Sequence, residues 1–435
     1  VSLRHEVAIP VDLPSAFAYL VAAVAVGALT RRRPALGVAA LVLIAPFALA
    51  RWVGPTTITL IKAGVLGMVV AFAFGRPSFA PFGTRPVRLV GLGFGLVIAA
   101  TLATIVTAEH QAPVIRETLK AIEYAVLFGA AVMAFANDPD DRPFWWALEV
   151  GTLLVCFSAI AEYAIGAHSG IFIAGHAVPR IAGVLEGPNQ LSGWLEIVIP
   201  VLLARALLHR DAWLVALIIF ASAVDVLTFS RAGLVSLAIA IFVVLRFMHA
   251  PARNAVRLAV VAAIAIVTSL GFAFRSGLPE NYFSLDQETQ AGDHLANRAQ
   301  LWHAAITLWS RSPILGVGAG NYELDLGEVG LAGVRTHANS VYLQSLAEGG
   351  VVLLAAMLAQ LAILLTVLGR SGVRRPLVVG AFAGAVALAC HQIFDDLMFF
   401  TKVGSIFWLV MGVATAEIAA RRLFERRTTE RAAAA

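Results

Sequence analysis

Four arginines, two asparagines and a histidine stand at the ends of apolar runs or on the polar stretches beside them. Arg180 and Asn189 lie in RIAGVLEGPNQLSGWL, Arg231 in TFSRAGL, and His337 and Asn339 in THANSVYLQSLAEGG. Arg275 closes an apolar run, and Arg298 heads the stretch RAQLWHAAITLWSR. Guanidinium forks match phosphate oxygens two at a time and stay charged. Several of them on one side of a bilayer suit a phosphate-bearing lipid. A neutral imidazole beside them can take a proton from a hydroxyl. An ionisable group at membrane depth costs roughly 2.5–3.5 kcal/mol on insertion scales, so such groups mark a function or a partner.

Other groups at the same ends have plainer readings. Asp395 and Asp396 can pair with Lys402, while Glu162 and Glu196, inside apolar runs, can bridge helices. Gly316, Gly318 and Gly320 in ILGVGAGNY follow a helical pattern rather than a strand, so they predict turns and not a phosphate loop. The two cysteines, Cys156 and Cys390, both fall in apolar runs, which predicts neither a disulfide framework nor a zinc site. No HExxH, Walker loop or glycosidase-like carboxylate pair occurs. The expectation is a site without metal or bound cofactor.

The elements that must carry these groups are membrane spans. Of 435 residues 60% are apolar and only 14% charged, against roughly 25% charged in an average soluble domain. The mean hydropathy is +0.84. A soluble globule or a disordered chain is excluded, and an all-α polytopic membrane protein is predicted. Apolar runs fall at 14–30, 36–52, 57–75, 89–107, 117–136, 144–166, 189–208, 212–228, 232–248, 256–274, 340–368, 376–394 and 403–420, which gives 12 or 13 transmembrane helices. No cleavable signal peptide is read at the start. The net charge is +5, and 29 of the 32 positive residues are arginine. No basic stretch interleaves with aromatics, so no nucleic-acid partner is expected.

Alternate connections carry the arginines: Arg31 to Arg33, Arg76 with Arg85 and Arg88, Arg142, Arg210, Arg253 with Arg257, Arg370 with Arg374 and Arg375, and Arg421 onward. These belong in the cytoplasm. The other set, with the residues that open this section, then faces the periplasm. With 13 spans the N-terminus is periplasmic, with 12 cytoplasmic. Three regions follow: a transmembrane bundle over 1–274, a large periplasmic loop over 275–339, and C-terminal helices with a cytoplasmic tail over 340–435. Within the loop, Leu301, Trp302, Ala305, Leu308 and Trp309 recur at helical spacing, and Ser312-Pro313 stops the helix. This amphipathic helix is expected to press Leu301, Trp302, Leu308 and Trp309 on the membrane face or on a cavity mouth.

The elements TFSRAGL (228–234), NRAQLWHAAITLWSRSPILGVGAGNY (297–322) and THANSVYLQSLAEGG (336–350) resemble, in order, spacing and membrane context, the O-antigen ligase family. RIAGVLEGPNQLSGWL (180–195) is similar to that family's upstream arginine-and-asparagine element. The resemblance implies a GT-C-like inner-membrane glycosyltransferase of bacteria. Its activity would be transfer of O-antigen glycan from undecaprenyl diphosphate to the lipid A core oligosaccharide, by inverting, metal-independent displacement. His337 would fall on the family's essential histidine, and Arg180 and Arg231 on its diphosphate-binding arginines. Arg275 and Arg298 match less directly, and Asn189, Trp302 and Asn339 complete the expected substrate contacts. O-antigen polymerase and protein O-glycosyltransferase are alternatives with the same donor. A lipid-linked oligosaccharide flippase is a further one, set lower because no internal repeat is seen. A monomer among membrane lipids is expected.

Overall fold

A computed structural model describes residues 10–47, 49–53, 56–166, 169–173, 176–248, 298–371 and 375–434. Arg275 and the apolar run 256–274 lie outside the described residues. The described chain is α-helical, apart from two short hairpins. In order come α1 (Leu13–Arg32), α2 (Pro34–Ile44), the hairpin β1 (Arg51–Val53) and β2 (Thr56–Ile58), α3 (Leu60–Gly75), α4 (Arg85–Ala103), α5 (Gln111–Asn137) and α6 (Arg142–Ala164). The antiparallel hairpin β3 (Ser169–Ile173) and β4 (His176–Arg180) follows, then α7 (Pro188–His209), α8 (Ala212–Val226) and α9 (Arg231–Met248). The last group is α10 (Arg298–Arg311), α11 (Tyr322–Asp325), α12 (Val341–Gly369), α13 (Pro376–His391) and α14 (Thr401–Ala434).

Eight of these helices are long and apolar enough to cross a membrane, and α2, α3, α8 and α13 are apolar but shorter. All twelve coincide with predicted runs, so the polytopic all-α class stands. The run 36–52 differs most. Its helix has 11 residues, about 16 Å of a hydrocarbon layer about 30 Å thick. The chain turns at Ala45 and Pro46, and Arg51 enters the β1–β2 hairpin.

Helix α7 is the axis of the bundle. It is buried on every side, from Gln190 to Ala204, as a helix apolar all round must be. Its neighbour α13 comes close because Gly380 and Gly384 face it: a Cβ at Gly380 would stand 2.4 Å from the Cα of Val201. Small residues four apart let helix backbones touch in a membrane, where packing rather than water drives association. Glu196 of α7 and His391 of α13 join the two helices at 2.7 Å, fully buried, which is the bridging role predicted for Glu196. At the arginine-rich ends, Arg33 reaches Asp138 and Asp140, Arg205 reaches Glu149, and Arg375 reaches Glu417.

Helix α12 is broken. Gly350 has φ 59° and ψ −160°, so the helix stops at Gly349 and restarts. The break would orphan backbone groups, which are costly in an apolar setting. The segment 313–318 supplies the partners. Val351 N donates to Pro313 O and Val352 N to Ile314 O, while Ala347 O and Glu348 O accept from Val317 N and Gly318 N. A Cβ at Gly350 would lie 2.3 Å from Ile314 O, so no other residue fits there. Above the break, α10 packs Leu301, Ala304, Ala305 and Leu308 into a second small core with Tyr322, Leu326, Val334, Ala338 and Ala347. The amphipathic helix exists as predicted, but Leu301 and Leu308 face this core and not a membrane or a cavity. Trp309 is only partly buried, and its indole donates to Pro313 O.

Candidate active site

Four connections meet at one end of the bundle. Arg180 ends β4, Asn189 stands in the first turn of α7, Arg231 begins α9, and His337 lies in the stretch before α12. Pro188 at the start of α7 fixes where that helix begins, and so where the Asn189 side chain projects. The stretch before α12 is docked on the turn after α13, since Val341 N donates to both Gln392 O and Asp395 O. Ala338 N donates to the Gln344 side chain at 2.7 Å. Asn339 takes φ +50°, a left-handed conformation that asparagine tolerates better than most residues.

Hydrogen bonds join Arg180 and Asn189 to Asp395, and the docking brings His337 to face that carboxylate. Arg180 Nη2 donates to Asn189 Oδ1 at 2.7 Å, and Asn189 Nδ2 donates to Asp395 Oδ2 at 2.6 Å. Asp395 Oδ1 accepts from Asp396 N at 2.7 Å and faces His337 Nε2 at 3.8 Å. On its other side the His337 ring accepts, at Nδ1, the N–H of Asn339 at 3.1 Å. A ring that accepts at Nδ1 carries its proton on Nε2 when neutral, so the proton points at Asp395. The gap of 3.8 Å is too long for a direct hydrogen bond. A hydroxyl lying to one side of the two atoms reaches both, donating to the carboxylate and accepting from the ring. Phe399 and Phe400 wall the imidazole at 5.9 Å and 6.1 Å between ring centres.

Arg180 also donates from Nε to Thr228 O at 2.6 Å. That carbonyl belongs to the turn that starts α9 three residues later, so Arg180 and Arg231 come to one corner. Phe229 in the same turn has φ +51°, a strained value for a bulky residue of the kind that clusters at functional sites. Trp302 reaches the same region, with its ring 6.2 Å from Phe394. Its Nε1 is buried and has no partner among the described residues. Arg298 lies one helical turn before Trp302, on the same face of α10. Arg335 instead ties the loop down, donating to Glu323 O.

Asp395 was undervalued by sequence reasoning. Lys402 does not hold it: its ammonium goes to Val184 O and lies 3.6 Å from Glu186. Glu162 accepts from the backbone N–H groups of Ala182 and Gly183, shaping the turn between Arg180 and Asn189. Gly316, Gly318 and Gly320 all have positive φ, as the turns there require. Burial pushes the carboxyl of Asp396 above its ordinary range, opposed by His337 and Lys120.

Beside this site lies an apolar cavity of about 210 Å³. Its apolar lining includes Phe94, Leu353, Met357, Leu364 and Trp408. Its charged lining residues are Glu117, Glu348 and Asp396 against Lys120 alone. Lys120 donates to Phe399 O at 2.7 Å and sits over the Phe399 ring, so the cavity and the His337 site share a wall. This acidic lining disfavours a diphosphate, and no arginine lines the cavity.

Residues 214–358, about a third of the chain, match the family model described as O-antigen ligase. The match takes in Arg231, the amphipathic helix, His337 and the break at Gly350. No curated protein matches the chain.

Proposed function

We propose that this chain, whose residues 214–358 match the O-antigen ligase family model, transfers a glycan from undecaprenyl diphosphate to the lipid A core oligosaccharide. The observation that carries this reading is the hydrogen-bonded chain Arg180–Asn189–Asp395, with His337 facing its end. It joins a phosphate-matching cation to a proton-accepting carboxylate through a single amide. The reaction breaks the bond from the sugar C1 to the diphosphate oxygen and forms one from C1 to an acceptor hydroxyl. Arg180 and Arg231 meet the charge that grows on the leaving diphosphate, from fixed positions and with partial exclusion of water, where such preorganisation is strongest. The acceptor hydroxyl lies beside Asp395 Oδ1 and His337 Nε2, accepting from the imidazole N–H. It gives its proton to the Asp395 carboxylate as the new bond forms.

One displacement of this kind inverts the anomeric centre and needs no serine or cysteine nucleophile. Trp302 and Arg298 lie where the acceptor's sugars would pass, and Asn339 holds His337 in register. The resemblance and the arginine distribution support a place in the bacterial inner membrane with the site on the periplasmic side. The test is a strain lacking the gene, complemented with the parent or with His337→Ala. Full-length glycan retained on undecaprenyl diphosphate, with none on lipid A, is expected for both the deletion and the variant. Single repeat units on lipid A would instead show a polymerase.

A further inference from the structure

Three side chains that can ligate a metal converge away from the His337 corner. Glu109 and His110 precede α5 and Asp325 ends α11; one ligand atom from each lies within 4.8 Å of the others. The two segments are firmly joined. Asn321 clamps the loop: its Oδ1 accepts from His110 N at 3.2 Å and its Nδ2 donates to His110 O at 3.0 Å. Ala319 N donates to Thr104 Oγ1 at 3.0 Å. At Gly318, with φ +107°, a Cβ would stand 2.5 Å from that of Ala108, so the segments touch only because glycine is there.

Asp325 supplies the second, independent observation. It is 7% exposed, and its carboxylate accepts no hydrogen bond among the described residues. It does not even cap the helical turn that it begins. A buried carboxylate is normally paired, or it binds a metal. This one points at an imidazole and a second carboxylate.

We infer that Glu109, His110 and Asp325 bind a divalent cation, zinc first, which staples the loop before α5 to the segment 315–326. One imidazole nitrogen with two carboxylate oxygens is a zinc-type donor set, whereas calcium and magnesium take oxygen ligands and more of them. Tetrahedral ligation at ~2.1 Å requires ligand atoms about 3.4 Å apart. Glu109 and His110 are exposed and can rotate inward onto the fixed Asp325. The ion would brace the cavity wall, since Ala319 of the stapled segment and Glu117 of α5 both line the cavity. No step of the transfer runs through it.

The experiment uses the full chain in detergent, with any affinity tag removed and the buffer stripped of metal. Zinc is titrated by calorimetry, and thermal unfolding is followed in parallel. One saturable equivalent and a raised midpoint are expected, with magnesium giving neither. Removing an outer-shell partner alone costs roughly 10–100-fold in metal affinity, so His110→Ala and Asp325→Asn should each lose at least that. Glu109→Gln, at an exposed position that cannot compromise folding, should also bind more weakly. Parent-like affinity in Asp325→Asn or in Glu109→Gln, or no saturable binding up to millimolar zinc, overturns the assignment.

Discussion

Asp395→Asn separates a proton acceptor from a mere hydrogen-bond bracket. In the parent, Asp395 Oδ2 accepts from Asn189 and Oδ1 from Asp396 N. An amide keeps only one acceptor oxygen, so one of these donors must face an NH2 group. Flipping Asn189 does not help, because its NH2 would then face Arg180. The frustrated contact should cost about 1–3 kcal/mol of stability. If the carboxylate takes up the hydroxyl proton, turnover should also fall by roughly 10²–10⁴, the usual worth of a general base. The swap Asn189→Asp with Asp395→Asn tells the two effects apart. The carboxylate, now on α7, would accept from both Arg180 and the new amide. That amide would keep its oxygen for Asp396 N, so every hydrogen bond returns while the charge has moved. Thermal unfolding of purified protein should recover, and transfer from a lipid diphosphate donor should not. A swap that restores transfer to within roughly threefold of the parent, under ~1 kcal/mol, would refute the proton-accepting role and leave Asp395 as scaffold. If the pair acts as a unit, adding His337→Ala to Asp395→Asn should cost little beyond either change alone.

Four other outcomes are expected. Arg180→Lys and Arg231→Lys should each lose most transfer, because a point charge does not replace a planar fork; tolerance of lysine at both, in the same assay, removes the diphosphate role. Asn339→Gly should keep activity and Asn339→Val should lose it with expression intact, since a β-branched residue resists φ +50°; equal activities would mean that this backbone angle is unimportant. Trp302→Phe keeps the ring and drops the indole N–H, so binding of the acceptor should weaken roughly five-fold, about 1 kcal/mol, with an unchanged thermal midpoint. Asp140 is held below the ordinary carboxylate range, first by Arg142 and then by Arg33; its contribution is therefore present above pH ~4 and lost as pH falls further, and Asp140→Asn should flatten that acid limb of stability.

The spans were legible because hydropathy reports on lipid contact residue by residue, and the twelve apolar helices among those described each answer to a predicted run. The helical period of 297–311 was legible for the same reason, but not what its apolar face would meet. Leu301 and Leu308 needed Tyr322 and Leu326 to form a core, and no local pattern announces that partnership. Arg180, Asn189 and His337 were visible as unusual groups at span ends. Asp395 was not singled out because its nearest sequence neighbour of opposite charge is Lys402, while its true partner, Asn189, is 206 residues away. The Glu196–His391 pair spans 195 residues and illustrates the same limit: pairing across a bundle is settled by packing. Gly350 reads as one more small residue in an apolar run, because a break satisfied by a distant segment leaves no polar mark on the helix.

That break also fixes a depth. The part of α12 beyond Gly350, residues 351–369, is about 28 Å long, close to the thickness of a hydrocarbon layer. The part before it, about 14 Å long, is surplus to crossing. With the longer part spanning, Leu353, Met357 and Leu364 lie at the depth of the acyl chains, and Gln344, Ser345 and Glu348 at that of the headgroups. His337 precedes them and stands at that level or farther out. A sugar carried on a membrane lipid rides at the same level. Chemistry centred on His337 would therefore meet both substrates where their own tails hold them, with neither chain drawn out of the bilayer.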